Sequence, residues 1–210
     1  IPTGSTLGVV GRVGSGKTTL ARLIPSLIQA SQGQVRIDDV PIEEIPIKQL
    51  RDAIGYVPQE SFLFSDTLEE NIALGASLEA TQQAVQTAQL TTDLKDFPQG
   101  IATIVGERGV TLSGGQKQRS ALARAIVRDP QILILDDALA SVDTRTEEEI
   151  LNALRRVMAA RTTIIIAHRI STVKNADHIV VLDEGCIAEQ GTHDQLVEIS
   201  GIYADLYRRQ

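Results

Sequence analysis

Tryptophan is absent from this sequence, and cysteine is nearly so. The one cysteine, Cys186, cannot close an internal disulfide, and no Cys/His spacing of the kind that holds a metal is present. A disulfide-stapled scaffold and a zinc module are thereby excluded, and a reducing compartment is the default. No apolar run approaches the roughly 18 residues that a membrane helix needs. A basic start followed by an apolar middle, the mark of a signal peptide, is also missing. Cations are in deficit: 20 Lys and Arg stand against 27 Asp and Glu, for a net charge of −7. They are spread along the chain rather than clustered, which speaks against a nucleic-acid surface. What remains is a chain of 210 residues, 42% hydrophobic and 22% charged, the composition of one globular domain with a sizeable core.

Short β-rich runs alternate with helical patterns, which is the order of βαβ units around a parallel sheet. "TLGVVG" (6–11) predicts a buried strand, followed by a Gly-rich turn and a helix from about Lys17 that Pro25 kinks or ends. "GQVRIDDVPI" (33–42) predicts a short strand and turn, "AIGYVPQ" (53–59) another strand, and residues 66–97 are largely helical in pattern. Ser113 is placed as the N-cap of a helix running to about Arg128, with Leu122, Ala125 and Ile126 inward. "QILILD" (131–136) and "TTIIIAH" (162–168) are apolar enough to be strands buried on both faces. Between them a helix over 144–160 carries Ile150, Leu151, Leu154, Val157 and Met158 on one stripe. Glu147, Glu148 and Glu149 lie in its early turns and Arg155 and Arg156 near its end, which suits the helix dipole. "HIVVLDEGCIAEQG" (178–191) predicts a hairpin turning at Glu184-Gly185, and Thr192 with Gln195 a capping box.

"GRVGSGKT" (11–18) fits G-x-x-x-x-G-K-[ST] between a strand and a helix, the context that gives the pattern its meaning. The glycines let the main chain wrap an anion with its N–H groups turned inward, and the helix N-terminus adds positive potential. Gly11, Arg12, Val13, Gly14, Ser15, Gly16, Lys17, Thr18 and Thr19 are therefore the expected nucleotide cradle. Lys17 is expected to bridge the outer phosphates, and Thr18 to offer its hydroxyl to Mg²⁺. No Asn-Lys-x-Asp guanine-reading motif is present, which argues against a GTPase.

"LSGGQKQR" (112–119) places Ser113, Gly114, Gly115 and Gln116 at a second helix start, a second anion cap for which one phosphate loop has no use at such a distance. The economical explanation is that it caps a phosphate held by another copy or a partner. With these residues the chain resembles the nucleotide-binding domain of ATP-binding cassette (ABC) transporters over essentially its whole length. The motifs follow in order: phosphate loop 11–18, Gln59, signature 112–116, the strand ending at Asp136, the loop "ASVD" (140–143) and His168.

The resemblance implies an α/β fold, a P-loop NTPase core of mainly parallel sheet flanked by helices, with ATP and Mg²⁺ as ligands. It divides residues 1–210, a single domain, into a core over about 1–59 and 126–210 and a helical subdomain over about 60–125. It also implies roles: Asp136, Thr18 and Gln59 at the metal, His168 at the γ-phosphate, and Asp137 where a catalytic base stands. Two such domains are expected to sandwich ATP head to tail, each site completed by the other's signature. "TIVGERGVTLSGGQ" (103–116) and "PQESFLFSDTLEENI" (58–72) resemble the exporter branch, where Glu107 and Arg108 would meet the coupling helices of a membrane domain. That places the chain at the cytoplasmic face of a membrane, with no nucleic-acid partner.

Two departures from the family pattern stand out. A Glu normally follows the Asp that ends the strand, and here the residue is Asp137. It is one methylene shorter, which withdraws the carboxylate by roughly 1.5 Å. The expectation is an asymmetric heterodimer in which this chain's own site hydrolyses slowly while its signature completes a partner's site; a homodimer with a working Asp137 is the rival. The family also stacks adenine on an aromatic residue upstream of the phosphate loop, and nothing aromatic precedes Gly11. The chain is therefore expected to be a fragment, with that residue and two antiparallel strands truncated. Alternative functions are a soluble ABC ATPase of DNA repair or chromosome maintenance, and a regulatory ATP-binding module. The short stretch from Gln59 to Leu112 lacks the long coiled-coil insertion usual in the first. His178, His193 and Cys186 carry no motif.

Overall fold

A computed structural model describes residues 1–106 and 109–210. Glu107 and Arg108, expected to face a membrane domain, lie outside the described residues. The chain runs through β1 (Thr6–Gly11), α1 (Lys17–Leu23), β2 (Arg36–Ile37), β3 (Val40–Pro41), α2 (Ile47–Asp52) and β4 (Ile54–Val57). It continues with α3 (Leu68–Ala73), α4 (Leu78–Thr87), α5 (Gly114–Ile126), β5 (Ile132–Asp136), α6 (Thr144–Met158) and β6 (Thr162–Ile166). Last come α7 (Ile170–Val173), β7 (His178–Asp183), β8 (Cys186–Gly191), α8 (His193–Ile199) and α9 (Ile202–Arg208).

Six strands form one sheet in the order β4-β5-β6-β1-β7-β8. The first five are parallel, and β8 returns antiparallel from the turn at Glu184-Gly185, whose φ angles of 47° and 79° suit a tight hairpin. The sheet is thus the expected α/β arrangement of mainly parallel strands flanked by helices. Alternation of side chains splits each central strand between two apolar layers. Val9, Ile134, Ile164, Ile166 and Val180 pack with Ala21 of α1 on one face. Val10, Leu133, Leu135, Ile165 and Val181 join the larger core formed with α5, α6 and the C-terminal helices. Burial on both faces is why β5 and β6 show no polar alternation.

Local chemistry sets the element ends. α1 stops at Leu23, two residues before Pro25, as a residue without an N–H demands. The 33–42 stretch is a two-stranded hairpin in which Asp38 and Asp39 take φ of 49° and 63°. In the 66–97 stretch two helices, α3 and α4, are capped by Thr67 and Ser77. Ser113 and Gln116 form a full capping box on α5, and Thr192 and Gln195 another on α8.

Register decides what gathers at the carboxyl edge of the sheet. Asp136 pairs with Ile166 of β6, and Ile166 with Val9 of β1, so these three strands end nearly level. Beyond them begin the loops that carry Gly11–Lys17, Asp137–Asp143 and His168, the edge at which open α/β sheets bind ligands.

Candidate functional site

The phosphate loop leaves β1 at Gly11 and enters α1 through Gly16, which caps the helix with φ 98°. Gly11 has φ 152°, and a side chain there would run into the carbonyl of Leu182, so the turn needs glycine. Lys17, only 6% exposed, folds back over the loop and donates through Nζ to the carbonyls of Gly11 (2.9 Å) and Arg12 (2.8 Å). Burial pushes its ammonium down from the usual lysine range, while the Asp137 and Asp136 carboxylates pull it back. The side chains of Arg12, Val13 and Thr19 are exposed, so any part they play in the cradle runs through the main chain.

Asp136 is 1% exposed. Its Oδ1 accepts from Thr18 Oγ1 at 3.2 Å and its Oδ2 from Tyr56 Oη at 3.3 Å. Burial raises its pKa and outweighs those hydrogen bonds; Asp137 pushes in the same direction. Tyr56 was not legible as a site residue. It sits on β4 beside Ile134, two residues before Asp136 on the neighbouring strand, and only the β4–β5 pairing brings them together.

Asp137 turns away from the sheet with φ 52°, a left-handed geometry that Asp tolerates better than most residues. Its N–H donates to Ile166 O at 2.8 Å. Its Oδ2 lies 4.0 Å from His168 Nε2, too long for a direct hydrogen bond, with side chains 13% and 42% exposed respectively. The main chain of His168 is held by Gln210, which donates to His168 O at 2.7 Å and accepts from Ile170 N–H at 2.7 Å. Behind them, Glu147 accepts from Arg169 and from Thr172 Oγ1 (2.5 Å). Glu147 is buried at 3% exposure rather than serving as a solvated dipole partner. The reason is its position one helical turn before Ile150, on the apolar stripe of α6.

The signature residues form a separate constellation, and no hydrogen bond joins them to the phosphate loop among the described residues. Ser113 Oγ accepts from Gln116 N–H at 3.2 Å. The Gln116 side chain is fully engaged: Oε1 accepts from Ser113 N–H (3.0 Å) and Nε2 donates to Asp93 (2.9 Å). Asp93 also takes a two-pronged bond from Arg119 at 2.6 and 3.0 Å. Burial raises the Asp93 pKa, but Arg119 and Gln116 outweigh it and hold the carboxyl below its usual range. Among the described residues the N–H groups of Gly114 and Gly115 remain the free donors of this helix start. Gln59 is exposed and makes no side-chain hydrogen bond among the described residues.

The donor set fits a magnesium nucleotide. Among the described residues, Ser15 Oγ is buried without a partner inside the loop, and no atom stands within 4 Å of where a side chain at Gly14 would project. Asp136 and Thr18 offer hard oxygen donors of the kind Mg²⁺ takes.

A family model described as "ABC transporter" matches residues 1–140. An ATP-dependent lipid A-core flippase of Cupriavidus pinatubonensis is 44% identical over 100% of this chain and 37% of its own length. A probable multidrug resistance ABC transporter ATP-binding/permease protein, YheI of Bacillus subtilis, is 46% identical over 99% of this chain and 36% of its own length. The solved structure of a bacterial Atm1-family ABC exporter with ATP bound superposes with TM-score 0.95 at 46% identity, covering 99% of this chain and 37% of that one. The chain thus spans a little over a third of the length of the relatives it matches.

Proposed function

The chain belongs to the ABC transporter family, and from that premise we propose that it is the ATP-binding and ATP-hydrolysing motor domain of an exporter. The observation that carries the proposal is the convergence of Lys17, Thr18, Asp136, Asp137 and His168 at the ends of β1, β5 and β6, with Asp137 within 4.0 Å of His168. The relatives' names, lipid A-core flippase and multidrug resistance transporter, point to an amphipathic or lipid cargo moved by a membrane domain. No helix among the described residues is long and apolar enough to cross a membrane; in this reading cargo recognition belongs to that partner domain.

In this reading the N–H groups of residues 14–18 wrap the β- and γ-phosphates, and Lys17 exchanges its two carbonyl partners for phosphate oxygens. Asp136 and Thr18 would hold Mg²⁺, which when bound neutralises phosphate charge. Asp137 faces the attacking water and His168 the γ-phosphate. A second domain's signature closes over the nucleotide, and ATP favours that closed pair because only it contacts ATP from both sides. Misplacement of a catalytic group by about 1 Å costs on the order of a hundredfold in rate. Asp137 therefore supports an asymmetric pair, preferably a heterodimer, in which this site turns over slowly and Ser113, Gly114 and Gly115 serve a faster partner site.

Binding is tested with a fluorescent ATP analogue and Lys17→Ala in the full-length protein. Loss of binding at micromolar nucleotide is expected; undiminished affinity would remove the phosphate loop from the account.

A further inference from the structure

Gln118 lies on α5, one turn beyond the signature glycines, and is 5% exposed. It was not among the expected site residues. Its side-chain amide reaches across to the loop after β5: Oε1 accepts from Ser141 N–H at 2.8 Å, and Nε2 donates to the carbonyl of Asp137 at 3.4 Å. The two ends cannot exchange, because one partner is a donor and the other an acceptor. The same stretch of helix is pressed against the same loop. A side chain added at Gly115 would meet Ser141 O at 3.0 Å, and one at Gly114 would meet Ser141 Cβ at 3.3 Å.

We propose that Gln118 is a positioning residue that fixes the peptide after Asp137, and through it the direction of the Asp137 carboxylate, from the signature helix. This rests on reading Asp137 as the group that faces the attacking water. The Asp137 carbonyl also accepts from Ala140 N–H at 3.2 Å, a local bond that closes the turn without tying it to anything else. Gln118 ties this carbonyl to the signature helix, as Ile166 O ties the Asp137 N–H to β6. Residue 137 is held in the left-handed region at φ 52°, with its N–H tied to Ile166 O of β6 and its carbonyl to Gln118, so the peptide on each side of Cα is fixed by a different element. A tilt of roughly 20–25° at Cα moves a carboxylate oxygen about 3 Å away by about 1 Å, and a shift of that size costs on the order of a hundredfold in a chemical step. The inference gives this chain a route by which displacement of the signature helix reaches the hydrolytic group of its own phosphate-loop site.

Gln118→Glu separates the two bonds. It keeps an acceptor for Ser141 N–H but faces the Asp137 carbonyl with an oxygen. Gln118→Ala removes both without adding charge. Single-turnover hydrolysis of ATP, ATP affinity and melting temperature are measured in the full-length protein without a Glu-bearing partner, so that every hydrolytic site carries Asp137, with Asp137→Asn alongside. The expected result for both Gln118 variants is a chemical step slowed about tenfold to a hundredfold, with ATP affinity within twofold of wild type. A rate within twofold of wild type overturns the proposal, as does a parallel loss of affinity and rate that tracks a fallen melting temperature. Asp137→Asn hydrolysing at the wild-type rate would remove the underlying reading of Asp137 and the proposal with it. Asp137→Asn stopping hydrolysis while both Gln118 variants leave it intact would remove the proposal alone.

Discussion

Asp137→Glu is the substitution whose outcome the geometry constrains most. In the structure the Asp137 carboxylate stands 4.0 Å from His168 Nε2 and is 13% exposed, beside a cavity of about 200 Å³ lined by Leu139, Glu147, His168 and Arg169. One added methylene advances the carboxylate by roughly 1.5 Å, and there is room for it. If about 1 Å of misplacement accounts for on the order of a hundredfold in rate, the longer acid raises hydrolysis at this site by ten- to a hundredfold. Left-handed backbone at this position suits Asp better than Glu, and the conformation costs an ordinary residue about 1–2 kcal/mol, so some loss of stability accompanies the variant. The assay is phosphate release at saturating ATP and Mg²⁺, with ATP affinity measured separately and expected to stay constant. A rate unchanged or lowered in Asp137→Glu, with binding intact, would refute the argument that the short side chain limits the site.

Other sites give narrower expectations. Tyr56→Phe removes the Tyr56–Asp136 hydrogen bond of 3.3 Å and is expected to weaken Mg²⁺ binding by roughly tenfold, seen by calorimetry with and without ATP. Glu147→Ala strips Thr172 of its acceptor and Arg169 of its carboxylate partner; a cost of about 2 kcal/mol corresponds to a fall of about 4–8 °C in melting temperature. For Asp93 the folded pKa lies below the unfolded value, so its stabilisation is present above the ordinary aspartate range and is lost as pH falls through the folded pKa. Asp93→Asn should therefore flatten the acid limb of the unfolding curve below about pH 4 while lowering stability at neutral pH. Gly115→Val, which meets Ser141 O at 3.0 Å, is expected to abolish the stimulation of a partner's turnover without affecting ATP binding at this chain's own loop.

Much of this was legible in the sequence because local rules suffice for it. β5 and β6 announce themselves as unbroken apolar runs, the hairpin by Glu184-Gly185, α5 by its Ser113 N-cap and α8 by its capping box. The phosphate loop is contiguous, so its chemistry can be read from spacing alone. What could not be read depends on strands and helices far apart in the chain. Tyr56 reaches Asp136 only through sheet order, and Gln118 reaches Ser141 only through the packing of α5 on the loop after β5. Gln210 holds the His168 loop from 42 residues away. Glu147 is an instructive miss, since helical periodicity already puts it on the buried stripe with Ile150 and Leu154, whereas the three adjacent glutamates read together only as dipole partners of the early turns. Gln116, expected at a nucleotide, has its side chain committed to the helix cap and Asp93, leaving main-chain N–H groups as the donors.

The claim at the centre of the account is asymmetry: a phosphate loop that binds ATP beside a short acid, and a signature that completes a better site on another chain. It is tested most directly by measuring ATP turnover of the full-length protein alone and after assembly with a partner half-transporter that carries Glu in the position of Asp137. Slow turnover alone, rising on assembly and lost again when this chain carries Gly115→Val, is the predicted result. Brisk turnover by the protein alone, unimproved by Asp137→Glu, would contradict it.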